Sequence, residues 1–373
     1  MSDFTAKCPV ENTWKYVSCR RIIIFGGDAA DCRTSSPNAL LKALGNTYHV
    51  DELLAAGSYA LAAPYDATAD GTYFESPVQT TFVGVFEGFG NAISNLSIKN
   101  KTKKNGVGLF YLNYGVISHL GLLHADVVGD QKGNDSVGPL AASNAGFLFQ
   151  DFATGRVSAR GPNSLVGGLV GATGSADISI DQSYADVRVE GGGKGKLKRT
   201  FGAGGLVGWN LEGEIRQSFA IGSTNVEDTG IAGGLVAVNS DSAIEDCYAT
   251  GSVNGGQSST IGGLIGAEAK YIDASETVNS SYSTGAVSGG ESSLVGGFVG
   301  TSTKESHYTD AYWDTTTSGT SRASGKGKAR NVEGLSTDEL QSGLPAGFDP
   351  SVWGENAKIN NGMPYLLTNP PPK

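Results

Sequence analysis

Basic side chains are scarce in this chain. Its 373 residues hold 27 lysines and arginines against 37 aspartates and glutamates, a formal net charge of −10. That balance speaks against nucleic acid, whose binders show a basic face, and against anionic membrane surfaces. No apolar run reaches the roughly 18–20 residues that cross a bilayer, so no membrane insertion is expected. Histidine is limited to His49, His119, His124 and His307, with no H-E-x-x-H pattern for a zinc protease. The G-x-S-x-G phrase of a hydrolase nucleophile is missing too. Three of the four cysteines, Cys8, Cys19 and Cys32, crowd the N-terminus without paired C-x-x-C spacing. They read as one disulfide with a thiol left over, or as free thiols, rather than as a zinc site. No metal and no cofactor is expected. The opening Met1-Ser2-Asp3-Phe4 lacks the basic and apolar stretches of a secretory signal. Export would then follow a removed signal, use another route, or give way to assembly in a phage particle.

Glycine is abundant, at 55 residues, and much of it is periodic. Five near-copies of one phrase begin at Gly167, Gly204, Gly233, Gly262 and Gly296, as in Gly167-Gly168-Leu169-Val170-Gly171, with spacings of 37, 29, 29 and 34 residues. A second phrase runs in step: Ser183-Tyr184-Ala185, Ser218-Phe219-Ala220, Cys247-Tyr248-Ala249 and Ser281-Tyr282-Ser283. An apolar residue stands four positions before each ring, at Ile180, Ile215, Ile244 and Val278. Such a period marks a solenoid. Each unit reads as a glycine-flanked apolar strand, a polar turn, a strand carrying the ring, and in some units a third strand such as Val187-Arg188-Val189. Leu169, Leu206, Leu235, Leu264 and Phe298 are expected to stack in one interior column, and the rings at 184, 219, 248 and 282 in a second. The small residue after each ring suits a corner where strands converge. Cys247 takes a Ser position and reads as a buried small residue.

The Gly-Gly-Leu-Val-Gly units with their trailing Ser-Tyr-Ala-Thr-Gly phrase resemble the GLUG repeat, found in bacterial filamentous-haemagglutinin-like adhesins and in the repeat region of some immunoglobulin A proteases. Phe82 to Ile98 resembles the first coil that leads into such arrays, and Val107-Gly108-Leu109-Phe110 and Ala145-Gly146-Phe147-Leu148-Phe149 resemble degenerate copies. The resemblance implies an all-β, right-handed parallel β-helix (a β-solenoid), secreted or displayed on a bacterial surface. It carries over no catalytic residue, because the repeat itself has none in common.

An open solenoid end invites edge-to-edge aggregation, so both ends should be capped. Residues 1–56 are assigned to a small N-terminal α/β cap, with a strand at Arg21–Phe25 and a helix from Ser36 and Pro37 to Gly45. Residues 57–330 form the β-helix. Residues 331–373 form the C-terminal cap and proline-rich tail, in which Ser336 or Thr337 starts a short helix and Trp353, Tyr365 and Leu366 cover the last coil.

Chemistry-bearing candidates are few. Asp181, Arg216, Glu245 and Asn279 form a column of mixed sign, which reads as a solvated ladder. Asp310 and Asp314 flank Tyr312 and Trp313. The two acids are the weak catalytic candidates. The two aromatics are ligand-binding candidates, and Tyr312 also falls in phase with the ring ladder. Lys194, Lys196, Lys198 and Arg199, in a loop thrown out between two units, are the other ligand-binding candidates, suited to an acidic glycan. These features point to an adhesin-type binding module for a glycan or a host or matrix protein. The competing expectation is a carbohydrate-active enzyme, a polysaccharide lyase or a tailspike-type depolymerase.

Overall fold

In the computed structural model, residues 57–101, 106–130, 136–161, 163–174, 180–192, 202–270 and 277–372 are described in full, and Thr5–Val10, Thr13–Ser18, Ile22–Phe25 and residues 178–179 by their backbone. The N-terminal helix assigned to Ser36–Gly45 and the loop bearing Lys194, Lys196, Lys198 and Arg199 lie outside the described residues.

The chain is a parallel β-solenoid whose coils are built of four short segments. One repeat shows the plan. Leu165–Gly167 lies on a first face of seven strands, and Val170–Thr173 on a second face of nine. Ile178–Asp181 lies on a third face and Tyr184–Gly191 on a fourth, and these two share one long sheet. Each segment pairs in parallel with its equivalent one coil on. Leu165–Gly167 pairs with Gly202–Gly204, Ile178–Asp181 with Gly213–Arg216, and Tyr184 with Phe219. Before the first glycine pair, the stack extends back through Val85–Glu87 to Ser58–Leu61 and Ile22–Phe25.

The repeated glycine phrase is a corner, not a strand. The first glycine ends a segment of the first face and the valine after Leu begins the second. Expecting one strand there placed the strand where the chain bends. The bend is nonetheless what turns the leucine inward. Leu169, Leu206, Leu235, Leu264 and Phe298 are fully buried, and each of the four leucines donates its N–H to the carbonyl of the next at 2.8–2.9 Å. The expected interior column is therefore present. It reaches back to Leu140, whose N–H donates to the Leu169 carbonyl. That contact identifies Val137-Gly138-Pro139-Leu140 as the true preceding copy. Phe147–Phe149 instead pairs with residues 179–181 on the third face, so the phrase from Ala145 is not a glycine corner.

A second corner, between the third and fourth faces, needs left-handed backbone. Gln150, Gln182, Gln217, Asp246, Ser280 and Asp310 occupy it in successive coils, all with φ between 41° and 54°. The small residue three positions on faces inward. Ala185, Ala220 and Ala249 are fully buried, with Cβ atoms packed against Gly168, Gly205 and Gly234 of the glycine corner.

The ring ladder is real but lies outside the coil. Along Tyr184–Gly191 burial alternates, with Ala185, Val187 and Val189 inward and Tyr184, Asp186 and Arg188 outward. Phe152, Tyr184, Phe219, Tyr248 and Tyr282 stack with centroids 4.7–5.2 Å apart and planes within 8°. The interior expected for these rings is taken by the alanines, because two neighbouring side chains on a strand point to opposite faces.

Candidate functional site

Polar residues that recur from coil to coil are tied up in ladders. Asn113 donates to Asn144 at 2.7 Å, and Asn210 to Asn239 at 3.0 Å, all four fully buried. Their amides also bond the turn that follows, as when Gly115 N–H donates to Asn113 Oδ1 and Asn113 Nδ2 to the Gly115 carbonyl. Sequence reasoning missed this ladder, although Asn standing two or three residues before Gly in 113–115, 144–146 and 210–213 is its trace.

A second ladder explains the serines. Ser183, Ser218 and Ser281 each donate Oγ–H to the carbonyl two residues back and accept an N–H from the preceding coil. Cys247 occupies the same place, its Sγ 3.1 Å from the Glu245 carbonyl, and burial pushes its thiol pKa up. Iodoacetamide should therefore modify Cys247 only after unfolding, as read by peptide mapping. Cys247→Ser should change stability by no more than about 1 kcal/mol, since a serine there can make the bonds that Ser183, Ser218 and Ser281 make.

Asp151 stands where the ladder has serine. Its Oδ1 accepts the Leu120 N–H at 2.9 Å, while Oδ2 is buried without a partner. Burial is the main cause that drives its pKa well above the ordinary carboxylate value, and the Glu87 charge adds to it against the N–H bonds. A raised folded-state pKa means the contribution is complete below the unfolded value of about 3.9 and is lost as pH climbs toward the folded value. Asp151→Ser should therefore stabilise the rod at pH 7 by about 1–3 kcal/mol, and the gain should shrink toward pH 4. Urea unfolding at both pH values measures this. A serine variant no more stable than the parent at pH 7 would contradict the assignment.

On the outer side of the third face, Asp181, Arg216, Glu245 and Asn279 are in register, as the sequence implied. Arg216 lies 3.4 Å from both Asp181 and Glu214. Desolvation raises the Asp181 pKa and Arg216 opposes it.

The aromatic–acid cluster is spread over three surroundings. His307–Asp314 is the last long strand of the third and fourth faces. Asp310 is its corner residue. Tyr312 points outward, 5% exposed, and donates its hydroxyl to the Ala346 carbonyl at 2.8 Å. Trp313 points inward, 7% exposed, against Gly297 and Gly334. Asp314 is fully buried. Its Oδ1 accepts the N–H groups of Thr316 and Thr317, and its Oδ2 accepts the Thr337 hydroxyl at 2.7 Å. The corner at Asp310 and the four-residue stretch of strand to Asp314 thus separate the two acids.

The C-terminal segment does not sit over the end of the stack, as expected for Trp353, Tyr365 and Leu366. It runs back along the ring ladder. Ser336 caps the helix Thr337–Leu340 with a full capping box. Beyond it Phe348 packs on Tyr312, Trp353 packs on Tyr248 and Tyr282 while donating to Asp246 at 2.9 Å, and Asn369 reaches the Gln217 carbonyl. The strap follows from the outward rings, whose apolar edges would otherwise face water.

Among the described residues, two clefts lie at the end of the rod. One, of about 790 Å³, lies between residues 302–309 and 327–331, with Lys304, His307, Lys328 and Arg330 on its walls. The other, of about 320 Å³, holds Asp310 and Glu333 beside Tyr312. Among the described residues no group of three or more His, Cys, Asp or Glu side chains is placed to hold a metal ion.

Residues 228–254, one coil, match the GLUG motif. Halomucin of Haloquadratum walsbyi is 37% identical over 142 residues, which is 34% of this chain and 2% of that protein. The chain thus spans a small fraction of this curated relative. A candidate immunoglobulin A1 protease from Bacteroides ovatus superposes with a TM-score of 0.50 at 17% identity, over 84% of this chain and 86% of that one. An IgA1 protease superposes with a TM-score of 0.55 at 19% identity, over 82% of this chain and 23% of that one. At these identities the structural likeness is one of fold.

Proposed function

We propose that this chain is a secreted or cell-surface β-solenoid that binds its ligand without converting it, an adhesin-type module for a glycan or a protein. One observation carries the reading. The polar groups that repeat along the rod are bonded into ladders, so the surfaces left for recognition are loops and the rod's end. Parallel stacking makes a stiff spacer, which suits presenting such surfaces away from a cell. The resemblance to halomucin and to IgA1 proteases, by their names, supports a place outside the cell. The loop of Lys194, Lys196, Lys198 and Arg199 is part of this proposal as a contact surface. Arrays of glycans and of matrix proteins test it. Retention of the purified chain on at least one of them is expected, and retention on none overturns it.

A second reading, a carbohydrate-active enzyme, draws on Asp310 and Glu333 sharing one cleft beside an aromatic ring. A retaining glycosidase needs two carboxyls about 5 Å apart, and an inverting one needs more. We expect the parent to release no reducing ends from a polysaccharide panel. Release that Asp310→Asn and Glu333→Gln abolish would establish the enzyme instead.

A further inference from the structure

We propose that the larger cleft at the end of the rod binds an acidic saccharide, one bearing carboxylate or sulfate groups. The proposal rests on the reading of the chain as a binding module and names the ligand class and the place. The first observation is unbalanced charge. Several arginines elsewhere on the rod face acids: Arg156 meets Asp126 at 2.7 Å, Arg188 meets Glu190 at 2.8 Å, and Arg216 meets Asp181. Lys304, Lys328 and Arg330 have no such partner among the described residues, yet they converge on one cavity from two chain segments of an acidic protein. No carboxylate lines that cavity.

The second observation is how the cavity arises. His307–Asp314 pairs along its length with the preceding coil, but only Ala311–Asp314 finds a strand, Val332–Leu335, on the other side. The chain before Asn331 bows away from the first half of the strand. Ser302 holds the bow by donating to the Lys328 carbonyl, and Asn331 holds it by donating to the Tyr308 carbonyl. The space between is walled by cations, by His307 and by the hydroxyls of Ser302, Thr303, Ser306 and Thr309; Tyr308 lines it too, but its side chain is 2% exposed and packs in the core. Its volume lies within the roughly 300–1,000 Å³ of small-ligand sites. The wall offers no Leu, Ile, Val or Phe side chain as an anchor for an apolar peptide. Alternating hydroxyls and cations match a chain of sugar hydroxyls and repeated negative charges.

The test uses the whole chain and three hexasaccharides: oligogalacturonate, its methyl ester as the uncharged counterpart, and a heparin fragment. Calorimetry at low salt should show binding of at least one acidic hexamer and none of the ester. Lys304→Glu/Lys328→Glu/Arg330→Glu, all exposed positions, should weaken it at least tenfold with an unchanged melting temperature. Sodium sulfate at matched ionic strength separates a free anion from a saccharide. Full displacement by millimolar sulfate would overturn the saccharide assignment. Equal affinity for the ester, equal affinity of the triple variant, or no binding of either acidic hexamer would also overturn it. A neutral glycan retained on the array by both parent and variant would leave the binding-module reading standing and sink this one.

Discussion

Gly234→Ala should destabilise the rod by about 3 kcal/mol, although a glycine-to-alanine exchange on an unobstructed strand ordinarily stabilises by about 0.5–1 kcal/mol. A Cβ at Gly234 would run into the carbonyl oxygen of Gly263 in the next coil, with the Ala249 Cβ 2.9 Å away on the other side. Both obstacles belong to the stack itself, one of them backbone, so relief requires moving a coil. Gly168, Gly205 and Gly263 stand in the same relation to their neighbours, with a carbonyl oxygen in the way. Coils touch only adjacent coils, so the damage should be local. Hydrogen exchange should speed up around residues 205–263 and leave distant coils protected. Gly174→Ala is the control, since a Cβ there meets nothing within 4 Å. If Gly234→Ala melts with the control, the corners are not packed backbone to backbone.

Trp353→Ala should release the strap while the coils stay folded. Trp353 is 1% exposed, lies 4.5 Å from Phe348, 5.8 Å from Tyr282 and 6.1 Å from Tyr248 between ring centroids, and donates to Asp246. Removing a buried tryptophan costs about 3–5 kcal/mol. The strap has few other anchors of that size, so local opening should become accessible well below global unfolding. Protease should then cut after Ser336 in the variant and spare residues 57–335. Phe219, Tyr248, Tyr282 and Tyr312 would lose their cover together, giving an apolar stripe that binds a hydrophobic dye. An unchanged digestion pattern would show that the strap is held by other contacts. Asp246 supplies a second readout. Desolvation raises its pKa and the Trp353 donor lowers it, so losing the donor alone raises it further, whereas release of the strap rehydrates it and lowers it.

Some of the candidate chemistry was legible and some was not, for one reason. The Asp181–Arg216–Glu245 column could be read from the repeat because equivalent positions of adjacent coils must meet. The inward or outward sense of Tyr184 was readable too, from Ala185, Val187 and Val189 alternating with Tyr184, Asp186 and Arg188. In the shorter segments such as Tyr248–Ala249 two residues give no alternation, and a large ring looks like core. The basic cleft left no motif, since Lys304 and Arg330 lie in different loops and meet only because a strand is half paired.

By itself the sequence determined the stack: its period, the buried leucine file, the small residues at the bends and the serine-like role of Cys247. Each of these depends on one coil lying against the next, and a repeat writes that relation out several times. Only the tertiary structure decided that residues 336–369 cover the outward rings, that Asp151 is sealed from water, and that the last coil opens into a cationic cleft. Those outcomes depend on contacts made once, between residues 23 to 152 positions apart, and a single pairing of that kind leaves no periodic mark on the chain.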